Sequence, residues 1–399
     1  MTDPDWHPPT NTPGVPRYGE YAQGGAPGSP PPPPPGGSYR AVPPPPAWTP
    51  PPKPGLIPLR PLGFGTLLGA PFQVLRRNPK ATFGSALIVQ AATLLVTLVV
   101  VGVVSFFAIS RIASAPVDEQ DAVEAGAMLT IVLSALVPVA LAIVASALLQ
   151  GVIVLEVSRA TLGEKLRLGA LWRQVGKRVW PLVGWTLLLS AALLIGVLLI
   201  GGVVFVCVLL GGGWIALAVI VGVFGGLGLV ALGAWVSTKT AVVPSLIVLE
   251  RLSIGRAIRR SWSLTGGFFW RTLGVLLLIT VIVNVVAQVV TTPLSFLFGM
   301  VISLIDPNAA IEAFIPAAVL YILTLLIALV LGAVTAVVQS AAVALIYIDL
   351  RMRKEGLDLE LQRFVEAAPG AQTRDPYLPH TAPAGADGAP RPDLGSPWA

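Results

Sequence analysis

Residues 181–236 read PLVGWTLLLSAALLIGVLLIGGVVFVCVLLGGGWIALAVIVGVFGGLGLVALGAWV, without one charged side chain. As a single helix the stretch would extend roughly 80 Å, far beyond the roughly 30 Å of a bilayer's hydrocarbon. It must fold back, and Gly211, Gly212 and Gly213 supply a turn with no side chains in the way. The reading is a hairpin of two spanning helices, residues 181–210 and 214–236. Unpaired backbone in lipid costs several kcal/mol per group, so a span is a helix or part of a closed barrel. Barrel strands alternate in polarity, whereas this run is uniformly apolar.

Working outward, four more runs are long and apolar enough to cross: about 84–108, 127–155, 268–290 and 314–347. The composition agrees. Of 399 residues, 54% are hydrophobic and 12% charged, with a mean hydropathy of +0.79, against about 25% charged in a soluble domain. The expected fold class is an all-α membrane protein with six transmembrane helices in three hairpin repeats, each preceded by a short amphipathic interfacial helix. The lone Cys207 sits inside an apolar run, excludes an intrachain disulfide or multi-cysteine zinc site, and reads as a packing residue.

Charge sets the orientation. Arg60, Arg76, Arg77 and Lys80 precede the first span. Arg159, Lys165, Arg167, Arg173, Lys177 and Arg178 fill the second connection, and Arg251, Arg256, Arg259, Arg260 and Arg271 the fourth. Arg351, Arg353 and Lys354 follow the last span. The alternate connections are acidic, uncharged or nearly so. The positive-inside rule then places the basic segments and both termini in the cytoplasm of a multi-pass cell-membrane protein. A net charge of +6 and a pI near 9.7 could suggest nucleic acid. The cations, however, flank the apolar runs instead of forming a soluble basic face, so no nucleic-acid partner is expected.

Residues 1–58 and 367–399 are dominated by Pro and Gly and read as disordered cytoplasmic tails with polyproline II character. Trp6, Tyr18, Tyr21, Tyr39 and Trp48 punctuate the first. Such a tail is either a solvated spacer or a ligand for aromatic-grooved partner domains. No apolar segment occurs in the first eighty or so residues, so a cleavable signal peptide is not expected and the first span serves as the targeting signal.

The segments between hairpins resemble one another. Leu62-Gly63-Phe64-Gly65, Leu166-Arg167-Leu168-Gly169 and Leu252-Ser253-Ile254-Gly255 share a Leu-x-apolar-Gly pattern followed by basic residues, and Glu156, Glu250 and Asp349 each stand where a hairpin returns. Three related units are the implied organisation. Leu168, Leu171, Trp172, Val175 and Val179 form one helical face opposite Arg173, Gln174, Lys177 and Arg178. Ile254, Ile258 and Trp262 repeat the stripe beside Arg256, Arg259 and Arg260. Arg76, Arg77, Arg173, Lys177, Arg178, Arg256, Arg259 and Arg260 are the expected interfacial anchors, with apolar faces in the headgroup region and cations near anionic lipid. They either recognise lipid or a partner, or only fix the hairpins in place.

Within residues 243–274, Pro244, Val248-Leu249-Glu250, Ala257, Arg260-Ser261-Trp262, Leu264, Gly267 and Trp270-Arg271 form a pattern that resembles the membrane domain attached to some bacterial glycerophosphoryl diester phosphodiesterases. It also resembles stand-alone Pro-rich actinobacterial membrane proteins of unknown function, which the opening Arg60-Pro61-Leu62 and Arg76-Arg77-Asn78-Pro79 fit as well. The resemblance covers roughly residues 56–365. In that family catalysis belongs to a separate soluble barrel with metal-binding carboxylates and paired histidines. The histidines here are His7 and His380, both in the tails, so no enzyme activity, catalytic residue, metal or cofactor is expected.

Polar residues within spans are sparse. Lys239 reads as a boundary charge whose amine snorkels to the cytoplasmic interface, and Glu156, Glu250 and Asp349 as boundary charges that pair with arginines. Asn284 and Gln288, one helical turn apart, are the candidate polar path, and Gln90, Gln150 and Gln339 add single amides. Gly332, Ala336, Ser340 and Ala344 form a small-residue stripe, as do Gly222 and Gly226. The sequence supports two functions: a non-enzymatic scaffold recruiting partners through its tails and basic helices, and a transporter or lipid-handling protein whose Pro244 and Pro293 break helices around a path. An intramembrane enzyme fits least, and the oligomeric state is open.

Overall fold

The computed structural model describes residues 55–176, 178–305, 311–366 and 375–378. Most of both Pro-rich tails, His7, His380, Lys177 and Asp306 lie outside the described residues. The elements are α1 (Phe64–Arg77), α2 (Phe83–Ser114), α3 (Gln120–Ser134), α4 (Leu136–Thr161), α5 (Leu168–Gly176), α6 (Val179–Leu210), α7 (Trp214–Thr240), α8 (Val243–Val248), α9 (Ile254–Thr265), α10 (Phe269–Ser303), α11 (Ile315–Glu355) and α12 (Leu357–Glu366). Among the described residues, six stretches are long and apolar enough to cross a bilayer: α2, α3 with α4, α6, α7 with α8, α10 and α11. The chain is an all-α, multi-pass membrane protein.

Proline accounts for the broken spans. Pro138 offers no N–H to the carbonyl of Ser134, where α3 ends, and Pro244 offers none to Thr240, the last residue of α7. Pro293, expected to break its span too, lies inside a continuous α10. One lost backbone bond is tolerable in a helix braced by a neighbour, and the ring of Phe298 packs 5.7 Å from Tyr321 of α11. Between α6 and α7, Gly211 and Gly212 take φ values of 64° and 54°, a region open to glycine at no steric cost. The hairpin closes tightly at Gly196 and Gly225, where an added Cβ would press on Leu229 and Ile200; of the small-residue stripe, Gly222 faces Val204 of α6 at ordinary contact distance and Gly226 faces open space.

The protein core sits at one end of the bundle. Most of residues 149–161, nearly all of α8 and most of residues 337–352 are buried, whereas Leu95, Phe106, Leu194, Leu198, Phe224 and Val230 are exposed. An apolar surface of this extent is untenable in water and is what lipid requires. Trp180 and Trp270, 83% and 80% exposed, open α6 and α10 beside Arg178 and Arg271 and mark the membrane–water boundary, where tryptophan concentrates. α4, α7 with α8, and α11 overrun the expected spans because their last turns enter this protein core, whereas the extra turns of α2 and α10 are exposed at the other end.

The short helices differ from expectation. Part of each apolar face packs on protein, while Trp262 of the expected α9 stripe stays exposed. Leu67 and Val74 of α1, Leu171 and Val175 of α5, and Ala257 and Leu264 of α9 are 2% exposed or less and belong to the common core. Gly151 of α4 makes room for this, since a Cβ there would stand 2.8 Å from Val175 Cγ1. Burial against protein removes the same apolar area from water as lipid would, and adds close packing. Arg76, Arg173, Arg256 and Arg259 remain on the exposed faces.

Ordered packing also reaches into both expected tails. Ile57 is buried, and Leu56 N–H donates to Ala160 O at 3.0 Å. Asp375 pairs with Arg159 at 2.5 Å, while Tyr377 is 1% exposed with its hydroxyl 2.5 Å from Thr161 Oγ1. Burial pushes the Tyr377 hydroxyl well above the usual phenol range. Because the folded form holds its proton more tightly than the unfolded one, this contact is fully present below about pH 10 and weakens above it. Truncation after Glu366 should cost about 1–2 kcal/mol, the scale of one buried aromatic less the ordering of its segment. Thermal unfolding in detergent checks this, and an unchanged midpoint would return the whole segment to a free tail.

Candidate functional site

The three acids that the sequence places at hairpin returns are buried, and two of them, Glu250 and Asp349, pair with arginines as expected. Glu156, Glu250 and Asp349 are 2–3% exposed, and each is held by groups from the segment folded over it. Asn78 Nδ2 donates to Glu156 Oε1 at 2.8 Å and reaches Leu166 O at 3.4 Å, with Arg77 and Lys165 close enough to interact electrostatically. Arg260 Nε lies 2.5 Å from Glu250 Oε2 as an ion pair, and its Nη2 donates to Oε1 at 3.1 Å. Tyr347 donates to Glu250 Oε1 at 2.9 Å, and the buried Arg351 donates in turn to Tyr347 and to Tyr377 O. Asp349 Oδ1 accepts the Leu62 N–H at 2.8 Å, while Leu62 O accepts from Arg271 and Arg353. This end of the bundle is locked by ion pairs. Arg260, expected as a lipid-facing anchor, turns inward to Glu250 and Glu355. Lys239 keeps to the edge, 5.9 Å from the Trp262 ring and 5.6 Å from that of Phe269.

Deeper in the bundle a crevice of about 440 Å³ opens between α4, α6, α7, α8, α10 and α11, a volume in the range of small-molecule sites. Its exposed rim includes Ser146, Ser237 and Thr280, and its floor includes the buried Trp185, Thr240 and Ala342. Gln150 lies six residues before Glu156 and Gln339 ten before Asp349, so the amides stand about 9 and 15 Å along their helices from the locked end. Neither amide forms a hydrogen bond among the described residues. Both side chains are half-buried, and polar residues within spans are functional candidates by default.

Gln339 and Ala336 also line a second hollow of about 410 Å³ with Gln90, Asn284, Thr291 and Thr335. The two hollows adjoin along α11. Of the two amides read as a polar path, Asn284 lines this second hollow and donates to Thr280 O at 2.8 Å. Gln288 does not line it; exposed, it accepts from Thr292 at 3.3 Å. The first hollow was not legible because its polar side chains come from five helices spread over nearly two hundred residues. Gln150 and Gln339 were the only signal. Compared with models of known protein families, with curated proteins and with solved structures, the chain matches none.

Proposed function

We propose that this chain is a lipid-handling protein of the cell membrane, with its ion-paired end and both termini in the cytoplasm, that admits the polar part of an amphiphile into the crevice around Gln150 and Gln339. The single observation carrying this reading is that the amides of Gln150 and Gln339, without hydrogen-bond partners among the described residues, line with several hydroxyls a hollow whose rim is exposed beside lipid-facing surface. The basic residues at the ion-paired end support the orientation. The resemblance of residues 243–274 to a phosphodiesterase-linked membrane domain is consistent with work on lipid-derived molecules, and the reading includes no catalysis. The polar path is thereby moved from Asn284 and Gln288 towards Gln150 and Gln339.

A scaffold role is the second reading, favoured by the outward cations Arg76, Arg173, Arg256 and Arg259, which suit anionic lipid or an acidic partner. The two separate in vesicles reconstituted with the full chain and acyl-labelled lipids of several headgroups. Lipid handling predicts faster transbilayer movement than in protein-free vesicles for at least one headgroup. Gln150→Leu with Gln339→Leu should slow it about fivefold or more, as expected for one lost hydrogen bond, and Gln288→Leu should leave it unchanged. Movement no faster than in protein-free vesicles for every headgroup would leave the scaffold reading.

A further inference from the structure

We infer that the crevice takes an uncharged, hydroxyl-rich headgroup, such as that of a glycosylated diacylglycerol, and discriminates against phosphate; the inference rests on the lipid-handling reading above. What the lining can donate and accept sets the preference. Ser146 donates its hydroxyl hydrogen to Ile143 O, Thr186 to Leu182 O and Val183 O, Ser237 to Ala234 O, and Thr240 to Val236 O. A hydroxyl has one hydrogen. With it committed to the helix backbone, each of these four oxygens offers a ligand only lone pairs.

Thr280 and Ser340 keep uncommitted hydroxyls, and the Gln150 and Gln339 amides each offer one acceptor and two donors. The hollow therefore offers both acceptors and donors, which suits a group that itself does both. A phosphate or carboxylate headgroup is itself all acceptor and would meet four lone-pair surfaces. It would also find no cation, since no Lys or Arg lines the crevice, and an unpaired charge at this depth is expensive. An ammonium group brings donors but finds no Asp or Glu in the lining to neutralise it. A sugar or glycerol headgroup brings several O–H donors and no charge, and each of its oxygens can still accept from the two amides. The indole of Trp185, 4% exposed, gives the floor an apolar surface for the carbon face of such a group.

The test is photocrosslinking of the full chain in phosphatidylglycerol nanodiscs, using glucosyl-diacylglycerol and phosphatidic acid that carry the same diazirine acyl chain. The glucosyl probe should label the protein at crevice-lining peptides and lose label at least fivefold in the Gln150→Leu, Gln339→Leu pair. Ser340→Ala, which preserves the small side chain, should also lower labelling, and Gln288→Leu should not. Phosphatidic acid should label weakly and equally in all variants. Strong phosphatidic acid labelling that disappears in the double variant would overturn the headgroup assignment while leaving the lipid crevice standing. No specific labelling by either probe would overturn both. Unfolding midpoints within a few degrees of wild type establish that each variant is folded.

Discussion

Replacing Glu250 by alanine is expected to destabilise the protein by about 3 kcal/mol, the low end of the cost of removing one partner from a buried ion-pair network. Its side chain is fully enclosed, and so, nearly, is that of Arg351, at 3% exposure. Arg351 would keep Glu355 at 2.8 Å, but Tyr347 would lose its acceptor and Arg260 the closer of its two carboxylates. The pair is not required as such. Burying two charges has a desolvation cost close to the attraction it returns, so Glu250→Leu combined with Arg351→Met should recover a large part of the loss. Thermal or denaturant unfolding of the detergent-solubilised single and double variants measures both. A single-variant loss under about 1 kcal/mol is the range of a solvent-exposed pair and would contradict the enclosure of this end.

The second large effect concerns the medium. Leu194 lies near the middle of α6 and is 56% exposed. On a water-soluble surface Leu194→Arg would be neutral or favourable. In a bilayer an arginine at a span's centre costs about 2.5–3.5 kcal/mol on insertion scales. The variant should therefore show a large drop in membrane-inserted protein in an insertion assay, whereas Leu359→Arg on α12, 57% exposed outside the spans, should insert normally. Equal insertion of both would remove lipid as the environment of α6.

The two experiments probe opposite ends of one design. The half of the bundle with the glycine turn is loosely enclosed and presents Leu, Val, Ile and Phe outwards, so lipid supplies its packing. The ion-paired half has its own core, into which α1, α5, α9, Ile57 and Tyr377 are all drawn. A crevice at the junction borrows stability from the locked end while its rim stays open beside lipid. That position suits reversible entry of a ligand, because local opening there need not disturb the ion pairs.

Much of the architecture is legible in the amino-acid order because lipid is an undemanding judge of sequence. Any run of about twenty apolar residues satisfies it, and the backbone then has no alternative to helix. Residues 181–236 with their central glycines thus dictate a hairpin without reference to any other part of the chain. Prolines are less decisive: Pro244 ends α7 and Pro293 leaves α10 intact, the difference lying in what packs alongside. Glu156, Glu250 and Asp349 are visible as acids at hairpin returns, but their burial is not. Whether a boundary carboxylate faces water or is capped depends on where Asn78, Arg260 and Leu62 arrive, and these come from segments up to 287 residues away. The same holds for Tyr377, which composition assigns to a tail.

The amino-acid sequence by itself determined the medium, the six crossings and the basic end, since each follows from local hydropathy and charge read against a slab of fixed thickness. Only the tertiary structure decided that the amphipathic helices face protein, that the acids are enclosed and that scattered hydroxyls converge with Gln150 and Gln339. Those outcomes depend on side chains distant in the chain meeting at contact distance, and hydrogen-bond complementarity at about 3 Å leaves no periodic trace in the order of residues.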